Sequence, residues 1–397
     1  MSYKKLGKYI KLIDNRNRDL SDAPLLGVSV QKRFITSIAN TIGSDMSKYK
    51  LIEKNNFVYI ADTSRRGDKI GIALLKDFDK AMISQAYTSF KIIDENELSP
   101  DYLMMWFSRP EFDRYARYHS IGSVREVFDW ADMCEVELPI PSIEEQRQIV
   151  AQYQSIANKI KVNEQICEKL EATAQALYKH WFVDFEFPNE AGKPYKSSGG
   201  KMFWNEELGK EIPEGWEIKT LSDISKITMG QSPEGENYNE VGDGKIFYQG
   251  RTDFGFRIPE VRIFTTLSKK NAKEGDVLMS VRAPVGDLNI ADKDCSIGRG
   301  ISAISSKESS YIFYLMKDFK SHFDLSEGTG TIFSSITKDE LFGLRVIYDN
   351  NVSRFFNENA KYIDEQIILI SKQNQKLTQL QSLLLSRLAV GEEEKVL

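Results

Sequence analysis

Two stretches of this chain carry the same long helical pattern. In residues 149–181 apolar side chains recur at spacings that alternate between four and three, which places them on one face of a helix. The same phase returns in residues 356–388, and neither stretch contains proline or glycine. A 3.5-residue repeat sustained over this length is typical of a coiled-coil seam. The pattern therefore predicts two long helices, each requiring a partner helix along its apolar face.

The predicted seam has ten positions in each helix. They are Ile149, Tyr153, Ile156, Ile160, Asn163, Cys167, Leu170, Ala174, Leu177 and Trp181 in the first, and Phe356, Ala360, Ile363, Ile367, Ile370, Asn374, Leu377, Gln381, Leu384 and Leu388 in the second.

The two seam asparagines favour an antiparallel pairing of the helices. Asn163 is the fifth position of the first seam and Asn374 is the sixth of the second, so a fully overlapped antiparallel pair brings them together. In a parallel pair they would face Ile370 and Cys167, which leaves each amide short of partners at a cost of about 1–3 kcal/mol. The alternative is that both asparagines lie at a wet edge of the seam and carry no information about register.

A block of mixed pattern precedes each helix. Short β-branched and aromatic runs alternate irregularly with helical stretches, which predicts an α+β fold. Residues 57–75 and 276–292 resemble each other in carrying two apolar runs around a basic turn. We therefore expect a pseudo-two-fold internal repeat whose two globular domains are separated by an antiparallel coiled coil. The expected boundaries are 1–141 for the first globular domain, 142–186 for the central helix, 187–215 for a linker rich in Gly, Pro and Ser, 216–349 for the second globular domain and 350–397 for the C-terminal helix.

The sequence carries no motif for catalysis. It lacks an NPPY or DPPY tetrapeptide, a glycine-rich methyl-donor loop and a GxxxxGK[ST] phosphate loop, and its histidines and three cysteines show no metal-ligand spacing. Gly298 and Gly300 lack a third glycine, so they indicate turn geometry. We predict a non-catalytic chain without a cofactor or metal of its own. An active site assembled from scattered residues is the alternative.

The cysteine usage and the apolar runs predict where the chain resides. The cysteines form no CxxC pair or disulfide framework, which fits a reducing compartment. The longest aliphatic run, at 367–370, is far too short to span a bilayer. We therefore expect a cytoplasmic protein with no membrane partner.

Four segments together resemble the specificity subunit of type I restriction–modification enzymes. These segments are ALYKHWFVDFEFP (176–188), IPEGWEI (212–218), GDVLMSVRAPVGDLNIADKDCSIGRGISAI (275–304) and PIPSIEEQRQIV (139–150). The resemblance covers nearly the whole chain, although the first half has TSRRGDKIGIALL where the second has SVRAPVGDLNIAD. This departure prevents transfer of the motif onto the first globular domain.

The resemblance implies a DNA-recognition subunit. In that family each globular domain is a target-recognition domain that reads one half of a split target in double-stranded DNA. The helices act as a spacer and dock two methyltransferase subunits, and two restriction/translocase subunits complete the complex. S-adenosylmethionine, ATP and Mg belong to those partners. A related system with fused methylation and cleavage activities, a single-chain methyltransferase or nuclease, and a coiled-coil scaffold that never contacts DNA are the alternatives.

Basic and amide residues in turn-like segments are the candidate DNA-binding residues. Arginine suits bidentate contact with guanine and glutamine suits adenine, while adjacent glycines allow close approach of the backbone. Each candidate has an alternative role as a solvated turn residue or as the partner in an internal salt bridge. The candidates are Gln31, Lys32, Arg33, Arg65, Arg66, Lys69, Gln85 and Arg125 in the first domain, and Gln231, Gln249, Arg251, Arg282, Arg299, Thr329 and Thr331 in the second.

The charge balance limits how this chain can hold DNA. Its 53 Lys and Arg residues against 58 Asp and Glu residues give a net charge of -5, and no segment is strongly basic. Counterion release from phosphate contacts supplies most non-specific affinity for DNA. We therefore predict that the isolated chain binds DNA poorly and that partner subunits contribute much of the phosphate contact.

Overall fold

The computed structural model describes residues 3–37, 43–63, 69–120, 126–327 and 335–389, without the side chains of 321–327. The chain forms two compact units. The first comprises residues 1–160 together with 377–397, and the second comprises residues 161–376. Both combine helices with largely antiparallel sheets, which confirms the predicted α+β class.

The first unit is built from short strands that precede a group of helices. Its strands are β1 (Tyr3–Lys5), β2 (Ile10–Ile13), β3 (Leu25–Val28), β4 (Phe34–Thr36), β5 (Lys50–Glu53), β6 (Phe57–Tyr59), β7 (Ile72–Leu74), β8 (Lys80–Ile83), β9 (Thr88–Ile92) and β10 (Glu137–Pro139). Its helices are α1 (Pro100–Phe107), α2 (Pro110–His119), α3 (Trp130–Glu135) and the first part of α4 (Ile143–Phe182).

Two stacked sheets organise the first unit. One has the strand order β2-β9-β6-β7 and the other the order β4-β3-β8-β5, in which β3 and β8 run parallel. Because neighbouring residues of a strand point to opposite faces, β6 contributes to two cores. Phe57 and Tyr59 pack toward the helices, whereas Val58 packs toward the second sheet. The helices, the first sheet and the second sheet therefore form three layers.

The second unit contains the remaining elements. Its strands are β11 (Met202–Asn205), β12 (Lys210–Pro213), β13 (Glu217–Thr220), β14 (Lys226–Met229), β15 (Tyr238–Asn239), β16 (Lys245–Tyr248), β17 (Ile263–Thr265), β18 (Asn271–Ala272), β19 (Val277–Ser280), β20 (Leu288–Ile290), β21 (Cys295–Ile297), β22 (Ile301–Ser305) and β23 (Arg345–Tyr348). Its helices are α5 (Leu221–Ile224), α6 (Ser309–Glu327), α7 (Lys338–Phe342) and α8 (Asn350–Arg387), the last turns of which belong to the first unit.

The sheets of the second unit follow the strand orders of the first, with one additional edge strand, β15. One has the order β14-β22-β19-β20 and the other the order β15-β17-β16-β21-β18, in which β16 and β21 run parallel. In β19, Val277 and Met279 pack toward the helices while Leu278 packs toward the second sheet. The arrangement of β19 therefore matches that of β6 in the first unit.

Both long helices begin with a side-chain cap. Ser142 and Glu145 form a reciprocal pair at the start of α4, with the Ser142 backbone N–H donating to Glu145 Oε2 over 3.0 Å. At the start of α8, Asp349 accepts from the backbone N–H groups of Asn351 and Val352. Every predicted seam position is buried or half-buried, as expected for the apolar face of each helix.

The stretch 187–215, which the sequence suggests is a linker, has a structure of its own. Strands β11 and β12 pair as an antiparallel hairpin within it. Phe187 stacks on Tyr195 at a centroid distance of 4.6 Å and lies 5.1 Å from the ring of Trp216. The packing of these three aromatic rings buries apolar surface in a stretch whose glycines and prolines favour loops.

Candidate nucleic-acid interface

Three turns of the second unit converge where the parallel strands β16 and β21 end. Gln249 follows β16 and Arg299 follows β21, while Gln231 follows β14 of the adjoining sheet. The Gln231 backbone N–H donates to Ile297 O over 3.0 Å, and the Arg299 backbone N–H donates to Ser232 Oγ over 3.2 Å. All three candidate side chains are exposed. The fold therefore brings together amide and guanidinium groups that are far apart in the sequence.

Glycines make this close approach of the turns sterically feasible. A Cβ added to Gly230 would lie 2.2 Å from Gly298 O, and one added to Gly300 would lie 2.8 Å from Gln249 O. Both distances are far below any normal contact of a Cβ atom. Gly300 of the predicted turn, and Gly230, which was not predicted, thus allow two backbone segments to approach each other closely.

The other candidates described in this unit lie beside the same turns. Arg282 is exposed and follows Val281, whose backbone N–H donates to Gly300 O over 3.0 Å. Arg251 is also exposed, but its Nε donates to Asp287 Oδ2. Asp287 additionally pairs with Lys320 over 3.2 Å. Arg251 therefore has part of its charge neutralised within the unit.

The first unit places its candidates at the equivalent strand ends. Gln31, Lys32 and Arg33 lie in the turn after β3, and Gln85 lies in the turn after β8. Leu26 of β3 lies opposite Ile83 of β8 in a parallel register, so the two turns leave the same edge of the sheet. Gln31, Arg33 and Gln85 are exposed there. Each unit thus presents polar turns at the carboxyl ends of its two parallel strands.

Lys32 differs from its neighbours because its ammonium group is buried. The Nζ atom lies 2.8 Å from Asp113 Oδ1 and also donates to Phe107 O, and the side chain is only 9% exposed. Burial lowers the pKa of Lys32, and the pairing with Asp113 opposes that effect in part. This geometry matches the alternative of an internal salt bridge that the sequence leaves open.

Lys69 lines the same cleft as this carboxylate. It is exposed and borders a cleft of about 590 Å³ with Asp113, Arg114 and Tyr118. The remaining candidates, Arg65, Arg66, Arg125, Thr329 and Thr331, lie outside the described residues.

Asp253 and Asn289 organise the turns of the second unit, and neither is among the residues predicted from the sequence. Asp253 Oδ2 accepts from the backbone N–H groups of Gln249, over 2.7 Å, and Gly250, over 3.2 Å. Asn289 accepts from the Gly255 backbone N–H and donates to the Gly255 carbonyl. Asp253 lies three residues after Gly250, a spacing typical of a capping residue, and this spacing could have identified it. Nothing in the local sequence pattern indicates Asn289.

The described part of the chain contains no cluster of His, Cys, Asp or Glu residues able to hold a metal ion. Among those same residues no helix is long and apolar enough to cross a membrane.

The chain that carries these turns matches the sequence model of a known protein family. The model of the type I restriction modification DNA specificity domain matches twice, over residues 9–172 and 213–379. The chain belongs to that family. The two matches of the specificity-domain model include both pairs of parallel strands and the turns that follow them, together with most of both long helices.

Relatives in the specificity-domain family resemble this chain over most of its length. The candidate type I restriction enzyme MjaX specificity subunit of Methanocaldococcus jannaschii is 29% identical over 75% of this chain and 69% of its own. The type I restriction enzyme HindI specificity subunit of Haemophilus influenzae is 24% identical over 86% of this chain and 87% of its own. A solved type I restriction-modification system S subunit from M. genitalium shares the fold, with a TM-score of 0.55, 15% identity and coverage of 98% and 96%.

Proposed function

We propose that this chain is the sequence-specific DNA-recognition subunit of a type I restriction–modification complex. Residues 1–141 form its first target-recognition domain and residues 216–349 its second, and each reads one half-site of a bipartite target in double-stranded DNA. The chain supplies specificity and performs no catalysis itself. It acts in the cytoplasm.

The observation that carries this proposal is the repeated edge of exposed polar turns. Arg33 and Gln85 in the first unit, and Gln249 and Arg299 in the second, follow the parallel strands of sheets whose strand orders correspond, apart from the additional edge strand β15. Exposed arginine and glutamine side chains on rigid turns suit hydrogen bonding to base edges in the major groove. The double match of the specificity-domain model supports one reading edge for each half-site.

The internal repeat and the antiparallel coiled coil are part of the same proposal. In the second unit Asn163 contacts Asn374 and Cys167 contacts Ile367. The residue numbers therefore increase along α4 where they decrease along α8, as in an antiparallel pair. In the first unit Ile149 and Leu385 pack against one apolar core. These contacts, with the matching sheet orders, support pairing of α4 with α8 along the predicted seam.

We propose that the helices dock two methyltransferase subunits and that two restriction/translocase subunits join them. Several exposed apolar side chains of the helices support such a docking role, because exposed apolar residues that cluster mark interaction surfaces. They are Val162, Ile166, Leu369, Leu380 and Leu383. S-adenosylmethionine, ATP and Mg would be bound by these partners.

The direct test is methylome sequencing of a host that carries this chain with the methyltransferase subunits of its system. We expect methylation at a consensus made of two short half-sites separated by an unread gap of constant length. A continuous consensus, or methylation without any consensus, would contradict the proposal.

Substitution of Arg299 tests the reading edge itself. Loss of a bidentate contact to a base costs about 1–3 kcal/mol of discrimination. Arg299→Ala should therefore relax the consensus at one or two positions of a single half-site. Arg345→Ala is the matched control, because Arg345 lies on β23 and pairs with Glu207, and it should leave the consensus unchanged. A consensus unaltered by Arg299→Ala would remove this residue from the reading edge.

A further inference from the structure

A fully buried arginine lies behind the reading turns of the second unit. The side chain of Arg257 is 0% exposed, and its two terminal nitrogens contact two different helices. Nη1 lies 2.9 Å from Asp364 Oδ1 of α8, and Nη2 lies 2.7 Å from Glu171 Oε2 of α4. The guanidinium also stacks on Phe313 of α6, 3.9 Å from the ring centroid. One side chain thus joins a loop of the recognition domain to three helices.

The surroundings of Arg257 keep it charged. Burial alone would lower its pKa, but Asp364, Tyr314 and Glu171 outweigh burial and raise it. Asp364 Oδ1 also accepts a hydrogen bond from Tyr314 Oη over 2.9 Å. A buried ion pair adds little net stability over an apolar equivalent, yet the loss of one partner is strongly destabilising. Such an arrangement therefore fixes geometry more than it stabilises the fold.

The loop that Arg257 holds is the one that begins with the reading residues. Asp253 folds its first turn by accepting from the backbone of Gln249 and Gly250. Asn289 then holds Gly255 through both of its backbone groups. The Ile290 backbone N–H donates to the carbonyl of Arg257 over 2.8 Å. Separate hydrogen bonds therefore hold the backbone of this loop at Gln249, Gly255 and Arg257.

The far end of the loop also reaches a helix. Gln375 of α8 donates from Nε2 to Pro259 O over 3.4 Å, and Phe254 forms an isolated bridge with Pro259. The segment 254–259 is thereby closed on itself and attached at both ends. Rigid support of this kind is what base discrimination requires, because a contact displaced by about 1 Å is lost.

We propose that Arg257 is a positioning residue for the second half-site. It holds the loop that carries Gln249 and Arg251 in the orientation in which these side chains meet the bases. This inference rests on the proposed function and assigns a role to a residue that touches no DNA. Its expected signature is a loss of discrimination in one half-site, with the other half-site unchanged.

The test compares Arg257→Met and Arg257→Lys with the wild-type chain, each co-expressed with the methyltransferase subunits and analysed by methylome sequencing. A single mismatch in a DNA site normally costs about 1–3 kcal/mol. In Arg257→Met, methylation of sites with one mismatch in the second half-site should rise about tenfold relative to cognate sites. Arg257→Lys should give a smaller rise because it keeps the positive charge, but still a measurable one because a single ammonium cannot reproduce the fork that contacts both carboxylates.

The first half-site serves as the internal control. The half-site read by the second unit is identified by Arg299→Ala, and discrimination in the other half should stay at the wild-type level. Arg345→Met is the control for loss of an arginine elsewhere in the same unit. Because Arg345 is more than half exposed, its loss should alter neither half-site.

A purely structural role would give a different result. Uniformly weaker methylation at all sites, with the second half-site consensus intact in both variants, would overturn the proposal. If Arg257→Met does not accumulate as folded protein, Glu171→Gln replaces it, because that variant removes one of the two charges and keeps a hydrogen-bond acceptor. An unchanged second half-site in Glu171→Gln and Arg257→Lys would equally overturn it. Failure of the wild-type chain to give a split consensus would instead contradict the proposed function.

Discussion

Asn163 Nδ2 donates a hydrogen bond to Asn374 Oδ1 over 2.7 Å, and Asn163 is only 1% exposed. The two residues come from α4 and α8 within the second unit. Further along, the Cys167 thiol approaches the carbonyl of Ile367 at 4.0 Å, and Ala174 shares a core with Ala360. The residue numbers of the contacting pairs increase along α4 and decrease along α8, so the contacting segments run antiparallel. The predicted hydrogen bond between the two asparagines is present.

Replacing one member of this pair should destabilise the second unit. Asn163→Leu removes the donor from Asn374 Oδ1, and loss of one partner of a buried hydrogen bond costs about 1–3 kcal/mol. We expect the free energy of unfolding, measured by urea denaturation, to fall by that amount. The double variant Asn163→Leu/Asn374→Leu should recover much of the loss, because two leucines can pack where two amides were bonded.

The control for this pair lies on the same helix. Asn158 of α4 is exposed, so Asn158→Leu should change the free energy of unfolding by less than about 0.5 kcal/mol. A double-mutant cycle gives the coupling between positions 163 and 374 directly. A coupling near zero would show that the contact carries no information about register.

The helices were predictable because their signal is local and repeated. An apolar residue every 3.5 positions over more than thirty residues predicts a long helix with one apolar face, and every predicted seam position is buried or half-buried. The caps that start the helices, Ser142 with Glu145 and Asp349, have equally local signals. Patterns that lie within a few turns of chain can thus be read directly from the sequence.

The convergence of the candidate DNA-binding turns was predictable only in part. The residue types of Gln249 and Arg299 suggested DNA contact, but their convergence depends on the parallel pairing of β16 with β21, whose partners are about fifty residues apart. The local sequence did not indicate a role for Arg257, because its two carboxylate partners lie 86 and 107 residues away in the chain. Pairing over such distances is decided by the packing of the whole unit and leaves no trace in the local sequence pattern.

Substitution of Gly300 should disturb the reading edge through sterics alone. An added Cβ would lie 2.8 Å from Gln249 O, so either the turn after β16 or the turn after β21 must move. We expect Gly300→Ala to weaken methylation of sites that match the second half-site, measured against wild type in the reconstituted complex. Gly235→Ala is the control, since its Cβ would meet no atom within 4 Å. Equal effects of the two variants would contradict this steric account.

The thiol of Cys295 should stay unreactive in the folded chain. Burial, assisted by Asp276, raises the pKa of Cys295 to about 12, so almost none of it is thiolate at pH 8. Iodoacetamide at that pH should modify Cys134, which is partly exposed, well before Cys295. Mass spectrometry of timed samples measures both rates. Similar rates for the two cysteines in the folded chain would show that Cys295 is not enclosed.

The raised pKa of Cys295 also predicts how the free energy of unfolding depends on pH. The native state holds the Cys295 proton to a higher pH than the unfolded chain does, so unfolding releases a proton above the ordinary thiol pKa. Between about pH 9 and 12 this thiol should therefore make the folded state progressively less stable. Cys295→Ala should show a shallower decline of the free energy of unfolding in that window. An identical pH profile for the two proteins would contradict the shift.

The charge of the chain predicts its behaviour toward DNA in the absence of partners. Its net charge of -5 opposes association with phosphates, and Arg251 and Lys32 at the turns are paired with carboxylates. At about 150 mM salt we expect the isolated chain to bind target DNA no more tightly than non-specific binders do, with a Kd of about 10⁻⁴–10⁻⁶ M. Adding the methyltransferase subunits should tighten binding and steepen its salt dependence, because each new phosphate contact releases a counterion. Fluorescence anisotropy over a salt series measures both quantities, with circular dichroism confirming that the isolated chain is folded. Nanomolar, steeply salt-dependent binding by the chain alone would place the phosphate contacts on this subunit instead of on its partners.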